Sequence, residues 1–233
     1  MLSTPSPRVA SEQPPADYRA EAARYALLRR LAPSIRHHLV VNLQPIGMIY
    51  EVTERRLRAA EPDLASVHEN MQRINGFTKA ALGACSDVVS WLAPSEEACV
   101  TVNEGVQECF GLLATSLSFR GYALRNQVDA PTGQVRLPAI RCVLTAALLH
   151  VTDHLPPPAD LVLTAVKRPQ GVDLLLRLQA SDDKSHCFSP EPAYRVLGWE
   201  DLEAVARAEA VEVAREEGAG VRMSIPWAVP PAA

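Results

Sequence analysis

The residues whose types and spacing could do chemistry are Arg36, His37 and His38, in the run Arg36-His37-His38-Leu39-Val40-Val41-Asn42-Leu43. Free imidazole titrates near pH ~6.5, so near neutrality it offers an uncharged nitrogen lone pair, a competent nucleophile. Apolar residues nearby fall at Leu28, Leu31, Ile35, Leu39, Leu43, Ile46, Tyr50 and Leu57. At roughly 100° per residue they form one stripe on a helix. His37 lies about 180° from the centre of that stripe, and His38 nearer its edge. The pattern offers an exposed imidazole, flanked by an arginine, on the outside of an apolar-seamed helix, which suits a histidine that must meet another protein.

The element that positions this histidine is a helix expected over residues 17–60, rich at its start in Ala, Leu, Arg and Glu. Pro33 and Pro45 lie inside it. Each removes a backbone N–H and clashes with the preceding turn, so a kink or break is expected there, or a helix start at Pro33. Glu61-Pro62-Asp63 reads as a turn with Asp63 as N-cap. A second helix is expected over residues 64–92, with Leu64, Val67, Met71, Ile74, Phe77, Ala81, Cys85, Val88 and Leu92 spaced at threes and fours. His68 on it reads as a surface residue. Two long helices joined by a short turn pack antiparallel. A hairpin that thin cannot bury both stripes. A homodimer forming a four-helix bundle is the expected solution, and packing against the C-terminal half is the alternative. Residues 93–97, with Pro94, Glu96 and Glu97, read as a linker.

From Ala98 the pattern changes. Short strands are expected at 99–102, 122–128 and 134–137, and hairpin strands at 161–167 and 172–179 around Arg168-Pro169-Gln170-Gly171. Helices are expected at 104–120 behind an Asn103 cap and ahead of a Gly121 stop, at 138–155 opened by Pro138 and ended by three prolines, and at 199–209. Strands at 211–215 and 221–226 close the chain. This is an α+β layer, with helices on one face of a mixed sheet.

Composition narrows the function. A net charge of −4 argues against a general nucleic-acid binder. No run approaches the ~18 apolar residues of a membrane span. Residues 1–16 are Pro/Ser-rich and read as a disordered tail. Cys85, Cys99, Cys109, Cys142 and Cys187 are scattered, with no C-x-x-C, and read as free thiols in a reducing cytoplasm. No pair has zinc-ligand spacing. No Ser/His/Asp or Cys/His set has motif-level support.

The Arg36–Leu43 run resembles the H-box of sensor histidine kinases, where a histidine is followed by an acidic residue, Leu, then Asn, Arg or Thr, before a Leu. His37, Leu39 and Leu43 match, and His38 stands in the acidic position. The order of elements after Ala98 is similar to the ATP-binding domain of histidine kinases and gyrase-like ATPases. The resemblance covers residues 17–227. It implies an α+β chain made of a phosphoacceptor helical hairpin over 17–93 and an ATPase-like α/β sandwich over 98–233, with residues 1–16 outside both.

The ATP boxes are degenerate. In the family the helix after the second strand carries an asparagine that holds the magnesium of ATP. Thr145 and Leu149 stand at the expected positions, and leucine cannot ligate a hard cation. Asp153 follows, with no partner evident in the sequence. Where the family has an Asp-x-Gly-x-Gly loop, this chain reads Ala180-Ser181-Asp182-Asp183-Lys184-Ser185-His186-Cys187, with no glycine between Gly171 and Gly198. A loop that cradles phosphate needs glycine's backbone freedom. Asp182, Asp183 and Lys184 read as a solvated hairpin tip.

The resemblance then implies a two-component phosphorelay protein. His37 would accept and donate a phosphoryl group with response-regulator receiver domains, supported by Arg36, His38, Asn42 and Gln44. No bound cofactor and no metal are expected, since the receiver supplies the metal and the histidine needs only exposure and alignment. A homodimer in the cytoplasm is expected, with neither nucleic acid nor membrane as a partner. Two other readings stay open: an inactive pseudokinase adaptor that docks a receiver or another partner, and a divergent ATP-dependent sensor histidine kinase.

Overall fold

The computed structural model of the chain describes residues 17–93, 95, 97–129, 133–181 and 194–229. The expected tail over 1–16, the hairpin tip at 182–184 and Cys187 lie outside the described residues.

Helix α1 spans Tyr18–Leu57. Asp17 caps it, its carboxylate accepting from the backbone N–H groups of Arg19 and Ala20 at 3.1 Å. The helix runs unbroken past Pro33 and Pro45, so of the kink or break expected there, no break occurs. Each proline forfeits one intrahelical bond, and the packing of α1 on both sides of each proline outweighs that loss. Helix α2 spans Leu64–Leu92 behind the Asp63 cap, as expected. The two helices pack side by side as an antiparallel hairpin.

The apolar stripe of α1 is buried only in part, with Leu31 in the core and Leu28 and Ile35 packed against it. Leu27, Leu31, Ile49 and Thr53 are buried, while Leu43, Tyr50 and Leu57 of the stripe are about half exposed. The physical reason is that α2 covers one flank of α1 only, so a hairpin one layer thick leaves the rest of the stripe in solvent.

Strand β1 (Cys99–Thr101) leads into helix α3 (Val102–Phe119). Thr101, not Asn103, is the cap. Its Oγ1 accepts from the Glu104 backbone N–H at 3.3 Å, and the Glu104 carboxylate accepts from the Thr101 N–H at 3.2 Å. Gly121, with φ +86°, turns the chain out of α3 into β2 (Tyr122–Gln127). Next come β3 (Gln134–Arg136), α4 (Leu137–His154), β4 (Ala159–Arg168), β5 (Gly171–Ala180) and α5 (Trp199–Ala208). Strands β6 (Glu212–Glu216) and β7 (Gly220–Pro226) close the fold.

The strands form a five-stranded sheet in the order β2-β4-β5-β7-β6. β1 and β3 pair separately as a small antiparallel ribbon rather than joining it. Only β2–β4 is parallel, so the sheet is mixed, as expected. Leu161, Leu163, Leu174, Leu176, Met223 and Ile225, at alternate positions of three strands, are buried in the core with α3, α4 and α5. At Gly171 an added Cβ would lie 2.3 Å from the Ile225 carbonyl oxygen, so the close approach of β7 to the start of β5 requires glycine. The architecture is therefore a helical hairpin followed by an α/β sandwich.

Among the described residues, no helix is long and apolar enough to cross a membrane. Cys85, Cys99, Cys109 and Cys142 are free. Burial pushes the Cys109 thiol up to about 12 and the Cys142 thiol to about 11, whereas Cys85 and Cys99 are the exposed thiols among the described residues.

Candidate functional site

The first half of α1 lies on the helical layer of the sandwich. Ala20, Ala23 and Ala26 are buried, and with Leu27 and Leu31 they set α1 closely against α5. Small residues at threes permit that approach. A seam of ion pairs runs along the contact. Arg24 reaches Glu209 at 2.5 Å, and Glu209 also meets Arg136 at 3.2 Å. Arg195 meets Asp201 at 2.6 Å.

The deepest member of the seam is Asp153 of α4. Its side chain is 2 % exposed and is held by Arg30 of α1, which is itself 7 % exposed. One arm of the Asp153 fork is the Arg30 Nη2 contact at 2.7 Å. Arg120 approaches at 3.5 Å, and the Leu197 backbone N–H donates to the carboxylate at 3.0 Å. The carboxylate that lacked a partner in the sequence is thus the pin that holds the hairpin to the sandwich. Thr145 and Leu149, on the same helix, are buried in the core. The end of α2 is fastened separately. Trp91 donates from Nε1 to Glu108 of α3 at 3.0 Å, and Arg141 of α4 pairs with Glu108 at 2.5 Å.

His150, one turn before the end of α4, donates Nδ1–H to the Leu197 carbonyl at 2.8 Å. Burial, first, holds its pKa below the ordinary imidazole value; the His154 and Arg215 charges act the same way, and the bond to Leu197 and Asp153 oppose them. The unfolded chain therefore takes up this proton before the native one does. Its share of stability is complete above pH ~6.5 and is lost as pH falls through that value towards the lower native pKa. In a series of thermal melts against pH, His150→Gln is expected to remove that part of the acid slope. A slope identical to that of the unaltered chain would contradict it.

Beyond the seam α1 runs on past α3, with Ile35 on its inner side packed against the core. His37 lies about 10 Å further along the helix axis than Arg30, at 1.5 Å per residue. Arg36, His37, His38 and Gln44 are all exposed. The two imidazoles stand 6.4 Å apart between ring centroids. Asn42 donates its side-chain amide to the His38 carbonyl at 2.9 Å, and so is engaged with its own helix. His38 lines a cleft of about 220 Å³ between α1, α2 and α3, together with Ile35, Asp87, Trp91 and Glu108, whereas His37 does not border it.

The face that carries His37 shows what the sequence reading missed. Val40, Val41, Gln44 and Met48 follow it at steps of three, four, seven and eleven, each within about 60° of His37 on the wheel. Val40 is 46 %, Val41 50 % and Met48 62 % exposed. The spacing was present in the sequence, but the longer stripe through Leu39 and Leu43 masked it. A histidine set in an exposed apolar strip is an arrangement that can dock a protein surface and present a nucleophile to it.

No protein-family model matches this sequence, and neither does any curated protein sequence. Among solved structures, the chain is similar to the catalytic domain of histidine kinase ThkA, at 15 % identity over 55 % of this chain and 94 % of that one, with a TM-score of 0.44. It is similar to a histidine kinase from Burkholderia phymatum STM815 at 14 % identity, over 92 % and 100 % of the two chains, with a TM-score of 0.43. It is also similar to ThkA in complex with the response regulator protein TrrA, at 16 % identity over 91 % and 66 %, with a TM-score of 0.43.

Proposed function

We propose that the protein is a two-component phosphorelay protein in which His37 takes a phosphoryl group from the aspartate of a response-regulator receiver domain and passes it to another. The observation that carries this reading is the exposure of His37 within the apolar strip of Val40, Val41 and Met48. In the transfer, the imidazole nitrogen forms the N–P bond, the acyl O–P bond breaks, and the receiver's carboxylate leaves. Arg36 and Gln44 supply donors for the phosphoryl oxygens. Two features support independence from ATP: Asp153, the carboxylate of α4, is consumed by arginines, and Leu149 stands buried at a position where the family resemblance calls for a ligand.

The test is to mix the protein with a phosphorylated receiver domain and follow acid-labile, base-stable label. Label on this chain supports the relay. Receivers that bind but transfer nothing make it a pseudokinase adaptor, and autophosphorylation from ATP makes it a kinase.

The reading includes a homodimer in the cytoplasm, where receiver domains reside. Leu43, Tyr50 and Leu57 line α1 about 140° from His37, and Leu64, Leu82 and Leu92 of α2 are likewise exposed. A second hairpin covers these and leaves the His37 face open, completing a four-helix bundle. Light scattering is expected to give twice the 25.3 kDa chain mass, and Leu43→Asp with Tyr50→Asp to return it to the monomer value.

A further inference from the structure

At the C-terminal end of α4, a cavity of about 370 Å³ is lined by His150, His154, Trp199, Arg215, Glu216 and Gly220. Two imidazoles face one another there, four residues apart on one helix, with ring centroids at 4.5 Å and ring planes tilted by 45°. Each directs its Nδ1 at a main-chain carbonyl, His150 at Leu197 and His154 at His150, both at 2.8 Å. A carbonyl oxygen only accepts, so each Nδ1 carries the hydrogen. Each Nε2 is therefore a bare lone pair, and no described residue hydrogen-bonds to it. A histidine whose second nitrogen is fixed on a carbonyl in this way is oriented as metal-ligating histidines are.

We infer that His150 and His154 bind a borderline-soft divalent cation of the zinc type through their two Nε2 atoms. The i, i+4 spacing places both rings on one helix face. Two imidazoles meeting one ion at ~2.1 Å put their centroids about 5 Å apart, close to the separation observed. Among the described residues no set of three His, Cys, Asp or Glu side chains comes together to hold a metal, so water fills the remaining positions of an open, exchangeable site. The charges around it are nearly balanced. The Arg215 guanidinium lies 4.8 Å over the Trp199 ring, and Glu216 on the same wall is paired with Arg222 at 3.2 Å. An anion would need protonated imidazoles, and the burial of His150 disfavours that form. The inference does not depend on the phosphorelay reading.

The experiment is calorimetric titration of Zn²⁺ alone into the full chain after native alkylation with iodoacetamide, which caps the exposed Cys85 and Cys99 thiols. One saturable site is expected. His154→Gln, an exposed position whose loss leaves the fold and its melting temperature intact, is expected to weaken it at least ~10-fold. The His37→Gln/His38→Gln double variant is expected to retain it. Absence of saturable binding overturns the inference. So does binding that His154→Gln leaves unchanged, or that the His37/His38 variant abolishes.

Discussion

Replacing His37 with glutamine is expected to abolish phosphoryl label on the protein. Glutamine keeps polarity and roughly the size of the side chain but has no nucleophilic nitrogen, so no N–P bond can form. The loss is total within detection, in the range of at least ~10³-fold that accompanies removal of a nucleophile. The fold is expected to be untouched. His37 is exposed, and surface substitutions of this kind stay within about ±0.5 kcal/mol. Unchanged mass, melting temperature and receiver binding would separate a chemical loss from a docking loss. His38→Gln is the companion. His38 borders the cleft with Asp87 and Glu108 rather than the Val40–Met48 strip, so transfer by the His38→Gln variant is expected to persist. Label that survives in the His37 variant and vanishes in the His38 variant would move the acceptor to His38 and refute the face assignment.

The largest effect on stability is expected at Asp153. In Asp153→Ala, the Arg30 guanidinium, 7 % exposed, loses its buried counter-charge, and the Leu197 N–H loses its acceptor. Breaking a buried pair from one side costs about 3–5 kcal/mol. For a chain of this size that corresponds to a fall in melting temperature of roughly 10 °C. The uncompensated charge, rather than the lost attraction, dominates the cost. Replacing both members with apolar residues, Arg30→Met with Asp153→Leu, is therefore expected to recover most of it. Arg125→Ala is the contrast. Its partner Asp160 sits in a pair whose arginine is 59 % exposed, and such pairs are worth under about 1 kcal/mol. A melting temperature for Asp153→Ala within about 2 °C of the unaltered chain would show that the Asp153 pin does not hold α1 to α4.

The two results are linked by geometry. The seam from Arg24 to Arg30 fixes the first half of α1 on α4 and α5, and the Trp91–Glu108–Arg141 cluster fixes the end of α2. His37 begins the stretch of α1 that these contacts release into solvent. Its accessibility is set by where the seam stops.

The sequence by itself determined the features written in local chemistry. The Asp63 cap and the bounds of α2 follow from a carboxylate that satisfies free N–H groups at the start of an apolar period. The runs at 161–167 and 172–179 around the Arg168–Gly171 turn dictated the β4–β5 hairpin, and Gly121 dictated the exit from α3. The placement of His37 opposite the apolar stripe made its exposure legible as well. Only the tertiary structure decided which apolar residues are buried. Leu27 and Leu31 are buried against the sandwich, while Leu43 and Tyr50, on the same helix, stay about half exposed. It also decided what Asp153 is for. Arg30 lies 123 positions away, and an ion pair across that separation leaves no period or spacing in the chain. Capping, alternation and helical period act over a few residues and so are encoded where they act. Burial and charge pairing depend on which surfaces the fold brings together.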